Sequence, residues 1–166
     1  MQERHPLSDL YDDGVSIRPL IDLPQAVRAL EAQAISEGFG FLTRLITEWD
    51  NHTNRFSRPG ECLLGVFYQD QLVAIGGITQ DPHAGPTVGR LRRVYVATHV
   101  RRRRLGRTLV QALLDHAALK FEEVRLFTDT PEAAAFYRRC GFQPISDGTA
   151  THVKSLSLAN AACASS

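Results

Sequence analysis

The chain has 166 residues, 43% of them apolar and 22% charged, with a formal net charge of +1 at pH 7. That length suits one domain with a real core rather than two. The near-neutral charge excludes a general polyanion binder, and no apolar run reaches membrane-spanning length or opens the chain as a signal peptide.

Taken in order, the chain predicts a first strand over 15–18, where Val15-Ser16-Ile17-Arg18 alternates before Pro19. Asp22-Leu23-Pro24-Gln25 has the residues of a capped helix start, and Leu23, Val27, Leu30 and Ala34 keep one face apolar. Residues 37–40 form a break. A second helix follows, with Phe41, Leu42, Leu45, Ile46 and Trp49 on one face. Beyond the Pro59-Gly60 turn signal, strands over 61–68 and 72–78 form a hairpin across Gln69-Asp70. Gly76-Gly77 marks a bulge or a close approach by another element. A loop over 80–89 leads to a strand over 90–96. A helix over 105–119, a strand over 124–128, a helix over 131–140 and strands over 142–145 and 153–158 complete the chain. The order is β-α-α-β-β-β-α-β-α-β-β. Residues 1–158 are expected to form a single domain and residues 159–166 a frayed tail. Cys62, Cys140 and Cys163 are odd in number and widely spaced, which reads as reduced thiols in a cytoplasmic protein.

The stretch with most chemistry is 94–108. The apolar run Val94-Tyr95-Val96 ends in a short connector, four arginines follow, and Gly106 opens an amphipathic helix. Main-chain N–H groups at a helix start have no intrahelical acceptor, and the helix dipole favours an anion there. Gly106 has no Cβ, so the backbone can come close to that anion. The arginines add charge-assisted donors suited to phosphate. Eight arginines lie between Arg90 and Arg107, a local concentration that fits a small anionic ligand better than a nucleic acid. No Gly-Lys-Ser/Thr follows, so the loop is not a Walker loop.

This stretch resembles the Gln/Arg-x-x-Gly-x-Gly/Ala pyrophosphate loop of the GNAT superfamily of N-acetyltransferases. Arg101 matches the first position and Gly106 the last, while Arg104 stands where the family usually has its first glycine. A second stretch, Ala133-Ala134-Ala135-Phe136-Tyr137-Arg138-Arg139-Cys140-Gly141-Phe142, resembles the family's Ala-x-x-x-Tyr-x-x-x-Gly-Phe signature. Thr130-Pro131 would start that helix and Gly141 would end it. The resemblance implies an α/β (α+β) fold with a mixed, mostly antiparallel sheet of about seven strands and helices on both faces. It also implies that the strand ending near Val96 splays from its parallel neighbour, which exposes main-chain groups to an extended ligand.

By the same resemblance, the chain would be an acyltransferase that moves an acetyl group from acetyl-CoA to a primary amine by direct attack in a ternary complex. Val94, Tyr95 and Val96 would offer backbone groups to the pantetheine arm and the thioester carbonyl. Arg101, Arg102, Arg103, Arg104, Leu105, Gly106 and Arg107 would hold the pyrophosphate, and Thr108 could add a hydroxyl. Thr130, Ala133 and Phe136 would complete the cofactor side. Tyr137 would protonate the leaving thiolate. A thiol near pKa ~8.5 and a phenol near ~10 make that transfer shallow. Tyr137 also reads as a packed aromatic when taken alone.

On the acceptor side, Arg90 stands where relatives often carry Glu. It cannot act as a base, but it could pair a substrate carboxylate. Phe39, Phe41, Trp49, Arg55 and Phe56 are candidates to line the pocket. Glu37, Asp129 and the histidines are candidate bases that spacing does not separate. No metal is expected, because His99 and His152 lack ligand partners at useful spacing. The partners expected are acetyl-CoA and an amine, with a homodimer left open, and neither nucleic acid nor membrane. The alternative reading is a catalytically inactive acyl-CoA-binding sensor or scaffold.

Overall fold

The computed structural model describes residues 14–156. The expected tail and Cys163 lie outside the described residues, as does Leu158 of the last predicted strand. The elements are β1 (Val15–Pro19), α1 (Val27–Ser36), α2 (Phe41–Asp50), β2 (Cys62–Tyr68), β3 (Gln71–Gln80), β4 (Val88–Val96), α3 (Leu105–Ala117), β5 (Glu123–Leu126), α4 (Pro131–Arg139), β6 (Gln143–Asp147) and β7 (Ala150–Ser155). They occur in the predicted order. The strands make one seven-stranded sheet, β1-β2-β3-β4-β5-β7-β6. Every neighbouring pair is antiparallel except β4 and β5.

Helices cover both faces, and two glycines of β3 show it. A Cβ on Gly76 would lie 3.1 Å from Leu113 of α3, while one on Gly77 would lie 2.3 Å from Phe56, beyond α2. Successive strand residues point to opposite faces, so α3 and the segment after α2 lie on opposite sides of β3. The buried stripes agree with the predicted periodicity. Leu105, Leu109, Val110, Leu113, Leu114 and Ala117 face the sheet from α3, and Leu42, Leu45, Ile46 and Trp49 do so from α2.

Two departures from expectation have local causes. α1 begins at Val27, capped by Ala26 without a side-chain hydrogen bond, rather than at Asp22. Pro24 disfavours a helical Leu23, and the chain instead turns tightly, with the Pro24 carbonyl accepting the Val27 N–H at 3.1 Å. The second departure is a bulge. Arg92 pairs with Gly77 and Tyr95 with Ile75, so Arg93 and Val94 together oppose Gly76. Arg93 takes a left-handed φ of 60° to make the detour.

The far end of β4 is tied to the end of α1. The Glu37 carboxylate accepts from Arg101 Nη1 at 2.8 Å and Nη2 at 2.7 Å. It also accepts from the Tyr95 hydroxyl. Arg101 Nε donates to the Val96 carbonyl at 3.0 Å. These bonds hold the Glu37 carboxyl down at about 2, with Arg101 the larger cause and Tyr95 the second. Burial and then the Glu37 bond push the Tyr95 phenol up to about 12.

A depressed carboxylate stabilises the fold fully above its ordinary value of 4.5, and that contribution is lost as pH falls toward about 2. Glu37→Gln should therefore lower Tm by ~2–8 °C at pH 7, equivalent to about 1–2 kcal/mol. The gap to wild type should narrow below pH 4.5 and close only near pH 2. Thermal melts of both proteins from neutral pH downward check it, and a gap as wide at pH 3 as at pH 7 would contradict the assignment.

Candidate active site

β4 and β5 are joined through only three parallel pairs, Val88–Glu123, Gly89–Val124 and Arg90–Arg125. Beyond Arg90 the two strands part, as predicted, and β4 runs on to Val96 with no partner strand on that edge among the described residues. A cleft of about 1480 Å³ opens there. One wall is the open edge of β4, and the opposite wall is the chain after β5 with α4. The 37–44 segment and the start of α3 also line it. Alternate N–H and C=O groups of a strand edge project into such a gap and require a partner.

The start of α3 supplies the second feature. Thr108 is the first helical residue whose N–H reaches back along the helix, to the Arg104 carbonyl at 3.0 Å. The N–H groups of Leu105, Gly106 and Arg107 precede any helical acceptor. Arg104, the N-cap, has φ 61° and ψ 15°, and Arg102 has φ 75°. A left-handed backbone at Arg104 is the physical reason glycine is usual at that place, and arginine there costs ~1–2 kcal/mol.

Most of the residues expected to hold the cofactor border one space. Val94, Tyr95 and Val96 line it from β4. Arg102, Arg104, Leu105, Gly106 and Arg107 line it from the loop and α3. Thr130, Ala133, Phe136 and Tyr137 line it from α4. Thr130 also caps α4, accepting the Ala133 N–H at 3.2 Å.

Others sit differently from their expected use. Arg101 borders the cleft, but its guanidinium is occupied by Glu37 and the Val96 carbonyl, so it anchors the strand end instead of facing phosphate. Arg103 turns away and packs over the Tyr68 ring at 5.3 Å. Thr108 does not border the cleft. Neither does Arg55, which stacks 5.8 Å over Trp49 and donates to the Trp49 carbonyl at 2.9 Å. Gly106 has a different reason for its missing side chain: a Cβ there would press on Val96 at 3.2 Å and Phe136 at 3.4 Å, not on the open cleft.

Tyr137 is wedged between aromatic rings, 5.1 Å from Phe136 and 5.7 Å from Phe142, both edge-on. Its hydroxyl has no hydrogen-bond partner among the described residues. Burial pushes the phenol up, with the neighbouring Cys140 a smaller cause. The group is therefore a proton holder at neutral pH. Cys140 also lines the cleft, and burial raises its thiol too.

On the acceptor side Phe39 and Phe41 line the cleft, with their rings 5.7 Å apart. Trp49 and Phe56 are core residues. Arg90 borders the cleft, but its guanidinium is committed to Asp81 Oδ2 at 3.1 Å and the Thr149 carbonyl at 2.9 Å. Arg93 donates to Glu48 at 3.2 Å. Sequence reading did not single out Arg92, Arg93, Arg44 or Arg139 as residues of this cleft, and strand alternation places Arg93 on the wrong face until the bulge is known. Among the described residues no cluster of three or more His, Cys, Asp and Glu could hold a metal ion, and no helix is long and apolar enough to cross a membrane.

These features agree with comparison to known proteins. A structure from Exiguobacterium sp. 255-15, named as a candidate acetyltransferase, is 25% identical with a TM-score of 0.78, over 89% of this chain and 97% of that one. An acetyltransferase from Streptococcus agalactiae 2603 shares the fold at 17% identity and TM-score 0.68, over 86% and 97%. A mutant of the AtaT toxin, held with acetyl-CoA and the C-terminus of its antitoxin AtaR, shares it at 14% and 0.66, over 91% and 99%. No curated protein sequence matches the chain. The sequence model of the Acetyltransferase (GNAT) family matches residues 26–142. The chain is a member of the GNAT family of acetyltransferases, enzymes that transfer an acetyl group from acetyl-CoA.

Proposed function

We propose that the protein is an N-acetyltransferase that moves the acetyl group of acetyl-CoA to a primary amine by direct attack in a ternary complex. The observation that carries this reading is the meeting, in one cleft, of an unpaired strand edge, an anion-seeking helix start and a protonated Tyr137. The amine nitrogen attacks the thioester carbon, the carbon–sulfur bond breaks, and CoA leaves as a thiol.

The chain's own residues have distinct parts in this. The open edge of β4 over 94–96 offers main-chain donors and acceptors to an extended pantetheine arm, as an added strand would. The N–H groups of Leu105, Gly106 and Arg107, with the side chains of Arg102, Arg104 and Arg107, face the pyrophosphate. Tyr137 gives its proton to the leaving sulfur. Burial makes the phenol a weaker acid, and the same exclusion of water raises a thiol in that cleft, so the two stay matched. Glu37 is a poor base, because three bonds saturate its carboxylate and hold it near 2. The amine proton leaves through water.

Three outcomes test this reading. Calorimetry should show acetyl-CoA binding that is unchanged by a chelator. Gly106→Val should weaken it at least tenfold, about 1.4 kcal/mol, because the added side chain drives Val96 and Phe136 into the cleft. Equal affinity in a folded variant would mean that the helix start is no part of the site. Tyr137→Phe should lower kcat on the order of a hundredfold while changing acetyl-CoA affinity little. The readout is thiol release at saturating substrates. Near-normal turnover would return Tyr137 to a packing role, and the absence of thiol release by wild type with any amine would favour the inactive sensor.

A further inference from the structure

The acceptor half of the cleft holds more positive charge than its own acids neutralise. Arg44, Arg90, Arg92 and Arg93 all border it. Asp81 takes Arg90 and Glu48 takes Arg93. Arg44 has no ion-pair partner among the described residues and lies close enough to Arg93 to repel it. Arg92 is the unusual member. It is partly buried, its Nε is buried without any hydrogen-bond partner, and no acid pairs with its guanidinium among the described residues. Burial, then Arg93, then Arg90 oppose its charge, while Glu48 and Asp81 favour it more weakly from outside pairing distance.

Arg92 thus keeps its charge in a partly buried place with no acid paired to it, at a cost in desolvation that Glu48 and Asp81 offset only in part. Arg92 is opposite Gly77, whose missing Cβ faces Phe56, so it points to the α2 side of the sheet. Because of the bulge it lies three residues of β3 back from Val96, ~10 Å at ~3.3 Å per residue. That distance takes it out of reach of the pyrophosphate loop beyond Val96. A different anion must be its partner.

We propose that the acceptor is a primary amine that also carries a carboxylate or phosphate, and that Arg92 binds that anion in the acceptor half of the cleft. The planar fork of a guanidinium suits either group bidentately, and Arg44, which has no ion-pair partner among the described residues, adds field of the same sign. The bulge at Arg93 and Val94 creates the arrangement, because it brings two successive arginines to one face. This inference rests on the acetyltransferase reading and adds the class of substrate.

The test uses the full chain loaded with acetyl-CoA, so that the pyrophosphate loop is filled. Thiol release is measured for 4-aminobutyrate against butylamine and for O-phosphoethanolamine against ethanolamine. The anionic member of at least one pair should win in kcat/KM by about tenfold to a hundredfold, and the winning pair identifies the anion. Arg92→Gln should bring that ratio near one, and Arg92→Lys should keep part of it. Arg92→Gln should also melt no lower than wild type, since it removes an uncompensated charge. Ratios near one in both pairs, or a ratio that Arg92→Gln leaves intact, would overturn the proposal.

If none of the four amines reacts, melting of the loaded protein with inorganic phosphate and with acetate decides. A rise in Tm that Arg92→Gln abolishes supports the anion site, and no rise overturns it. A chain that acetyl-CoA itself fails to stabilise loses the parent reading, and the acceptor class with it. A chain that binds acetyl-CoA without anion dependence loses only the acceptor class.

Discussion

Three pairs, ending at Arg90–Arg125, hold β4 to β5, and then the strands separate. β5 itself ends one residue later, at Leu126, and each main-chain group of β4 left unmade in a buried place is costly. Here β4 continues for six residues past Arg90 without that partner. The gap is the cleft, and each functional element is arranged around it. α3 starts where β4 ends, so its free donors face the same opening. α4 follows β5 and brings Tyr137 to the opposite wall.

Keeping that gap open has costs in several places. Arg93, Arg102 and Arg104 all take a left-handed backbone without being glycine, at ~1–2 kcal/mol each. Arg92 has a buried Nε with no hydrogen-bond partner among the described residues. The Glu37–Arg101–Tyr95 knot offsets part of this by clamping the end of β4 to the end of α1 and satisfying the Val96 carbonyl. The strain sits where ligand is expected to bind, which is the usual place for it. A ligand that completes the strand edge and the anion sites would relieve these costs together.

Much of this architecture was legible in the residues because local rules and global fold agree. The 3.6-residue stripe of α3, the Thr130-Pro131 start of α4 and the Gly141 stop each specify one element unambiguously. The hairpin at Gln69-Asp70 was readable even though both residues take positive φ without glycine. The charge pairing was not legible. Arg90 looked like the substrate's partner, but Asp81 reaches it from across the loop between β3 and β4, and the Thr149 carbonyl from 59 residues further along the chain. Arg101 looked like a phosphate ligand, yet Glu37, 64 residues earlier, claims it. Spacing along a chain carries no information on such contacts. The bulge had a faint signal in Gly76-Gly77, but which strand would carry the extra residue depended on packing against Phe56 and Leu113.

The central claim is that the open edge of β4 and the start of α3 together hold acetyl-CoA. Amide hydrogen exchange, read residue by residue with and without acetyl-CoA, tests it most directly. The account predicts fast exchange at Leu105, Gly106 and Arg107 and at gap-facing amides over 94–96 in the free protein, with strong slowing at both places in the complex. Slowing confined to other parts of the chain, with these amides unchanged, would contradict it.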